Sequence, residues 1–183
     1  MNRYYSARLI FPIVLLVATL LPWVCAAGSD PGIAATKGQE EQEGYRDVTA
    51  VDGDFIAVGT GGKIDLITAK GSIIPMGNDS DADLNTVITE GPAIIAAGSN
   101  GTILLSSDRT TFRKIETGTV KNIRSITSYK GLIIVLTEDN SILVPGDNNK
   151  WIEVNLPLKG NIVALSAGLP GCAGATDRGE IIR

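Results

Sequence analysis

The chain has 183 residues, a formal net charge of −4 and no histidine. This length predicts one domain or at most two, and the acidic balance argues against binding to nucleic-acid backbones. The lack of histidine excludes Ser-His-Asp and Cys-His nucleophile systems within the chain and the histidine ligands of most zinc sites. With only two cysteines, Cys25 and Cys172, a four-thiolate metal site cannot form within one chain either.

Residues 1–26 have the features of a secretory signal peptide. Arg3 and Arg8 supply a positive start, and an almost continuous apolar run follows, ending in small residues of the kind that a signal peptidase reads. We therefore expect cleavage near Ala26 and a secreted or exported protein in an extracellular, periplasmic or lumenal space. The alternative is an uncleaved membrane anchor over residues 9–27.

Residues 27–47 contain much glycine and charge and no apolar periodicity, which predicts a flexible linker. Cys172 is then the single cysteine of the mature chain. Because it falls on an apolar column of the repeat described next, we expect a buried apolar side chain there.

Residues 48–183 repeat themselves without an insertion. The units start at Val48, Val87, Ile126 and Leu165, a turn column contains Gly62, Gly101, Asn140 and Gly179, and two positions later every unit has isoleucine, at Ile64, Ile103, Ile142 and Ile181. The period is about 39 residues, and a period of this size is typical of solenoids, propellers and helical arrays. Three units are complete and the fourth is incomplete.

Short runs of β-branched residues are separated by turns that contain Gly, Asn and Asp, and this pattern favours β-strands over helices. In the second unit they predict strands at 86–89, 93–98, 102–106 and 112–116. Connections of two to five residues suit antiparallel hairpins. The prediction is an all-β fold, a β-propeller or partial propeller of four-stranded antiparallel blades.

An acidic turn followed by an aromatic residue also repeats, as Asp108 with Phe112 and as Asp147 with Trp151. The segment "GTILLSSDRTTFRKI" resembles the Asp-box, or BNR, repeat, whose pattern runs Ser-x-Asp-x-Gly-x-Thr-Trp, and the repeats of photosystem II stability and assembly factor propellers. The resemblance implies that these four residues are structural and build turns at the blade periphery, away from a central site.

No other stretch predicts a catalytic, cofactor or metal site. "GTGGK", residues 59–63, lacks the full phosphate-loop spacing and occupies a hairpin column. The acidic stretches 52–54 and 78–83 are interpreted as loops, since the second lacks the glycine and glutamate of a calcium-binding EF-hand. Asn78 and Asn100 match the N-glycosylation acceptor pattern.

Together these features favour a secreted, non-catalytic binding or assembly-scaffold propeller with a protein or glycan partner and no cofactor. The alternative is a glycan-binding or glycan-hydrolysing, sialidase-like Asp-box protein, which would need clustered arginines and a tyrosine–glutamate pair. We expect the incomplete fourth unit to reflect truncation of a longer propeller rather than completion by another chain. Candidate side chains for the alternative are Arg46, Arg109, Arg113, Arg124, Arg178 and Arg183, with Tyr45 and Tyr129.

Overall fold

A computed structural model of the chain describes residues 44–147 and 150–183. The predicted signal peptide, residues 1–26, and all but the end of the predicted linker lie outside the described residues. Within the described part, the regular structure consists of fifteen β-strands and two single 3₁₀ turns. No helix of that part is long and apolar enough to cross a membrane.

The strands form four antiparallel sheets, each built from consecutive strands. Sheet 1 contains β1 (Tyr45–Val51), β2 (Asp54–Gly59), β3 (Ile64–Ile67) and β4 (Ile73–Pro75); sheet 2 contains β5 (Leu84–Glu90), β6 (Ala93–Gly98), β7 (Ile103–Ser106) and β8 (Arg113–Ile115). Sheet 3 contains β9 (Ile123–Tyr129), β10 (Leu132–Thr137), β11 (Ile142–Pro145) and β12 (Trp151–Val154); sheet 4 contains β13 (Ile162–Gly168), β14 (Gly171–Thr176) and β15 (Ile181–Ile182). The first strands of successive sheets start one repeat length apart, which confirms the predicted repeat and the all-β fold.

The first strands of the sheets, β1, β5, β9 and β13, lie side by side in that order, so they are the inner strands of a partial propeller. Neighbouring sheets pack face to face through two apolar clusters. The cluster between sheets 1 and 2 includes the fully buried side chains of Ile56, Ile94 and Leu104. Sheets 1 and 4 occupy the two ends of the row, and the described sheets do not close into a ring.

The chain direction gives each sheet two distinct edges. The inner strands begin at the edge that also holds the β2–β3 type of hairpin turn, and we call this the first edge. The second edge holds the turns that follow the inner strands and those that precede the outermost strands. The first-edge turns use the predicted column, where Gly62, Gly101, Asn140 and Gly179 all have positive φ, a conformation that glycine and asparagine tolerate.

The inner strands differ from the prediction, because they begin earlier than the β-branched residues suggest. In sheet 2 the strand starts at Leu84 rather than Thr86, with a register shift between these two residues. Because of this bulge, the strand extends back toward the N-terminus as far as Leu84, whose side chain is fully buried. In the same way β1 starts at Tyr45, so residues 45–47 belong to sheet 1 and not to the linker.

Candidate binding surfaces

Three polar side chains form a row at the first edge, and we call them the arginine row. Arg46, Asn85 and Arg124 are spaced by one repeat length and occupy the same position in β1, β5 and β9. Arg46 and Asn85 stand where the pairing of each inner strand shifts register. Because the inner strands of a propeller line its centre, the row lies where propeller ligands commonly meet the fold.

Two members of the row are held in place by hydrogen bonds between sheets. The Arg46 guanidinium donates to Asn85 Oδ1 at 2.6 Å and to Asp83 Oδ2 at 2.7 Å. Asp83 in turn accepts from the Gly61 backbone N–H at 2.9 Å. Asn85 donates from Nδ2 to the Ile123 carbonyl oxygen at 2.8 Å. These bonds fix Arg46 against its neighbours, so its charge is already partly neutralised.

The third member of the row, Arg124, differs from Arg46 in its pairing. Its Nη2 atom is buried and has no hydrogen-bond partner among residues 44–147 and 150–183. A buried guanidinium N–H without an acceptor is costly, so native proteins nearly always pair such a group. A carboxylate is the acceptor that best matches a guanidinium. Arg124 is therefore a candidate contact for an anionic ligand group.

A second polar cluster surrounds Lys121, close to the third sheet. Lys121 Nζ lies 2.8 Å from Asp139 Oδ2, 2.6 Å from Glu153 Oε1 and 3.1 Å from Ser141 Oγ. Hydrogen bonds to Asp139 and Glu153 raise the pKa of Lys121 and lower the pKa of both carboxyl groups. A lysine held protonated cannot remove the proton of Ser141, so this serine–lysine contact is not that of a nucleophile and its base.

Tyr45 and Asp65 form a tyrosine–carboxylate pair at the first edge. The Tyr45 hydroxyl donates to Asp65, whose side chain is buried, and Lys63 Nζ lies 4.6 Å from the centre of the tyrosine ring. The hydrogen bond to Asp65 raises the pKa of Tyr45. The hydroxyl therefore stays protonated near neutral pH, which does not suit a phenolate nucleophile. The carboxylate of this pair comes from an aspartate, Asp65, whereas the sialidase-like alternative calls for a glutamate.

The predicted turn residue Asp108 lies at the second edge, on the turn between β7 and β8. Its Oδ1 accepts hydrogen bonds from the backbone N–H groups of Thr110 and Thr111 at 2.9 and 2.8 Å and from Ser106 Oγ at 3.1 Å. The two backbone bonds hold the pKa of Asp108 well below its usual range. These contacts stay within the turn. The turn lies at the second edge, at the opposite end of the strands from the arginine row.

The Asp108 contacts predict a pH-dependent effect of Asp108→Asn, which removes only the charge. The folded-state pKa is depressed, so the ionised group stabilises the fold above the unfolded-state value near about 4. This stabilisation is lost as the pH falls toward the folded-state pKa. Urea unfolding should show the variant less stable at pH 7, with a difference that shrinks as the pH falls from about 4 to about 2. Asp79→Asn, at an exposed site, is the matched control, and a constant difference across this range would contradict the prediction.

The two predicted aromatic residues pack between sheets. Phe112 is 3% exposed and belongs to the cluster between sheets 1 and 2, while Trp151 packs against the cluster between sheets 2 and 3. Asp147 is exposed, and its carbonyl oxygen accepts from the Lys150 N–H at 3.2 Å. Residues 148–149 lie outside the described part, so the third-sheet turn is not described further.

The two predicted glycosylation acceptors differ in their surroundings. Asn78 is half-buried, and its side chain already bonds to the Ser80 N–H and the Gly62 carbonyl oxygen, both at 2.8 Å. Asn100 is exposed at a first-edge turn with φ of 55°. Asn100 is thus the more accessible of the two amides, and modification of either residue stays a prediction.

The other predicted arginines do not join the arginine row. Arg109 lies at the second edge, where it forms an ion pair with Asp52 of sheet 1. Arg113 is exposed on the outermost strand β8, and Arg178 is exposed on a hairpin turn of sheet 4. No group of three or more His, Cys, Asp or Glu residues within the described ranges could hold a metal ion.

The sequence analysis named Arg46 and Arg124 but did not place them in one column. The signal was present, because the two arginines are two repeat lengths apart and Asn85 stands midway. The predicted repeat units started at Val48, which left Arg46 in the predicted linker and put Asn85 and Arg124 near the ends of the first two units. Asp65 and Lys121 gave no such signal, since their partners come from other segments of the chain.

Comparison with known proteins agrees with this architecture. No protein-family model and no curated protein matches the chain. Among solved structures, the computationally designed Ika4 protein matches with a TM-score of 0.60 and 10% identity, over 79% of this chain and 92% of Ika4. YCF48 bound to a D1 peptide matches with a TM-score of 0.60 and 12% identity, over 76% of this chain and 48% of that one.

The WD40 β-propeller domain of Doa1 is also similar, with a TM-score of 0.56 and 15% identity, over 73% of this chain and 48% of that chain. The chain has a β-propeller fold. This conclusion concerns the fold alone, because the identities are low. The matched region of this propeller spans about half the length of the YCF48 and Doa1 chains.

Proposed function

We propose that the chain is an exported, non-catalytic binding scaffold whose arginine row holds an acidic segment of a polypeptide partner. The observation that carries the proposal is the buried, unpartnered Nη2 of Arg124. A carboxylate from a partner would accept from the guanidinium N–H groups of Arg124 after a rotation of the side chain that brings Nη2 to the surface. Export rests on the apolar leader in the sequence, residues 1–26.

Two further points support a polypeptide partner. YCF48, a propeller of similar fold, has been solved with a bound D1 peptide. In addition, stiff blades present loops and strand ends from a fixed platform, which suits binding rather than chemistry. The Asp-box resemblance is part of the same proposal, and it is supported by the hydrogen bonds that Asp108 makes within its turn.

The sialidase-like alternative ranks second. In its favour, Tyr45 bonds to the carboxylate of Asp65 at the edge that also holds the arginine row. Against it, hydrogen bonding raises the pKa of Tyr45, and Arg46 is already paired with Asp83. An arginine triad for a sugar carboxylate would need three free guanidinium groups in one place, whereas the row contains two arginines.

The proposal is tested with fluorescent ten-residue peptides rich in Asp and Glu and with the same peptides carrying Asn and Gln instead. The acidic peptides should bind, more weakly at 200 mM than at 50 mM salt because charge pairs are screened. Arg124→Gln should weaken that binding at least tenfold, about 1.4 kcal/mol. Arg113→Gln, an exposed arginine on β8, is the matched control and should change nothing.

Three outcomes would overturn this function. Acidic peptides that fail to bind the folded protein would remove the proposed ligand class. Equal binding by Arg124→Gln would remove the proposed site. Selective binding or hydrolysis of sialylated oligosaccharides on a glycan array would replace the scaffold with the second-ranked function.

A further inference from the structure

Arg46 and Arg124 occupy the same backbone position in their sheets. Each stands where the pairing of its inner strand with the next strand shifts register, in β1 and in β9. A bulge of this kind fixes the direction in which the extra residue points its side chain. The two guanidinium groups therefore leave equivalent backbone, and a difference in their pairing comes from the residues that follow them in the repeat.

The acid that pairs with Arg46 is replaced by an amide two repeat lengths later. Asp83 follows Arg46 by 37 positions and accepts a hydrogen bond from its guanidinium at 2.7 Å. Asn161 follows Arg124 by the same number of positions. A neutral amide oxygen is a weaker acceptor for a guanidinium than a carboxylate is. The position that neutralises Arg46 thus has no charged counterpart for Arg124.

Backbone hydrogen bonds place Asp83 and Asn161 alike. In sheet 2 the Asp83 carbonyl oxygen accepts from the Ser99 N–H at 2.8 Å. In sheet 4 the Asn161 carbonyl oxygen accepts from the Asp177 N–H at 3.0 Å. Ser99 and Asp177 are themselves two repeat lengths apart. The side chains of Asp83 and Asn161 therefore start from equivalent points at the first edge.

These two side chains nevertheless turn to different partners. Asp83 reaches across to sheet 1, where it accepts from Arg46 and from the Gly61 N–H. Asn161 turns to its own sheet and donates from Nδ2 to Asp177 Oδ2 at 3.2 Å. An ion pair therefore joins sheets 1 and 2 at the first edge, and Asn161 supplies no such pair between sheets 3 and 4.

The second acceptor of Arg46 is also replaced. Asn85 follows Arg46 by 39 positions and accepts through Oδ1 at 2.6 Å. Val163 follows Arg124 by the same number of positions, and its side chain cannot accept a hydrogen bond. Arg124 thus lacks both acceptors that the repeat supplies to Arg46, which accounts for its buried Nη2 without a partner in the described part of the chain.

We propose that Asn161 keeps Arg124 open for a ligand carboxylate, which takes the place that Asp83 holds beside Arg46. The Asn161 Nδ2 atom carries two hydrogens, of which one donates to Asp177 and the other can donate to the ligand carboxylate. An aspartate at this position would instead pair with Arg124 and repel the ligand. The inference rests on the proposed function and deepens it by naming the residue that determines specificity.

The first test measures binding of the acidic ten-residue peptides to Asn161→Asp. The added carboxylate should pair with Arg124 and weaken binding at least tenfold at about 0.15 M salt. Asn100→Asp is the matched control, because it adds the same charge at an exposed first-edge turn. It should change the affinity less than twofold, since exposed charges further apart than about 8 Å are largely screened at this salt concentration.

A third variant separates charge from shape. Asn161→Ala removes the amide without adding a charge, so only one hydrogen bond to the ligand is lost. It should therefore retain more of the peptide binding than Asn161→Asp does. Circular dichroism checks that all three variants remain folded. Equal losses in Asn161→Ala and Asn161→Asp would overturn the role of the charge.

A pKa measurement by NMR on the full chain tests the geometry without a ligand. The carboxyl group introduced by Asn161→Asp should have a pKa at least one unit lower than in the double variant with Arg124→Gln, because a nearby opposite charge favours the ionised form. The other charged side chains around this position are the same in both variants, namely Lys159, Asp177, Arg178 and Glu180. Equal pKa values would show that the two side chains do not meet, and would overturn the inference.

The outcomes distinguish the inference from the proposed function. Equal peptide binding by the parent and Asn161→Asp, together with weak binding by Arg124→Gln, would overturn the role of Asn161 and leave the proposed function standing. Failure of the folded parent to bind acidic peptides would overturn both.

Discussion

Replacing Phe112 with alanine should lower the free energy of unfolding by about 3–5 kcal/mol, the usual cost of removing a buried aromatic ring. Phe112 is 3% exposed and contacts a cluster that includes Ile94 and Leu104 of sheet 2 and Ile56 of sheet 1. The substitution leaves a cavity beneath the start of β8, and the surrounding sheets cannot collapse fully into it.

Urea unfolding followed by circular dichroism measures this loss. Phe55→Ala is the matched control, because the same ring is 48% exposed on sheet 1 among the described residues. It should cost less than about 1.5 kcal/mol, since half of the ring is already in water. Similar losses for the two variants would contradict the packing of Phe112 between sheets.

Gly101→Ala should also be strongly destabilising, by about 3 kcal/mol, because two costs add at one residue. The φ of Gly101 is +65°, and an added Cβ would stand 2.1 Å from the carbonyl oxygen of Thr119. That atom belongs to the backbone, so the turn or the connection to sheet 3 must move. Thermal or urea unfolding of the variant checks the loss.

Gly61→Ala separates the two costs. Gly61 has a φ of +61° in the equivalent turn of sheet 1, and an added Cβ there meets nothing within 4 Å. Only the backbone strain remains, so the loss should be about 1 kcal/mol. The same position in sheet 2 is Asn100, which already adopts this conformation with a φ of 55°. Equal losses in the two variants would argue against the close approach of Thr119.

Much of the fold could be predicted because the same turn and strand residues recur at fixed positions in every repeat unit. The turn column from Gly62 to Gly179 and the isoleucines that follow fix where each hairpin turns and where the third strand begins. The strand β6 has the bounds that the second unit predicts, and Asn140 replaces glycine in the column without losing the positive φ. Local backbone requirements of this kind are readable from one sequence.

The starts of the inner strands could not be predicted in this way. A bulge depends on the neighbouring strand and on burial of Leu84, neither of which the local residue types reveal. The signal peptide and the linker up to residue 43 remain predictions, as they lie outside the described part.

The candidate sites were less predictable than the fold, for a physical reason. Arg46 finds its partners in Asp83 and Asn85, and Lys121 finds its partners in Asp139 and Glu153. These contacts join different strands and depend on side-chain rotamers. Likewise, Cys172 is half-buried, whereas Ile94 at the same repeat position is fully buried, so the expectation of a buried Cys172 is wrong.

Backbone ladders run only within the sheets, and neighbouring sheets meet through side chains such as the Asp47 carboxylate, which accepts the Val87 N–H at 2.8 Å. The stability of each sheet therefore depends directly only on the sheets beside it, as in a one-dimensional chain of coupled units. In such a system opening spreads inward from the termini rather than occurring everywhere at once. Within the described residues, sheets 2 and 3 each contact two neighbouring sheets, and the apolar cluster between them couples the two halves of the row.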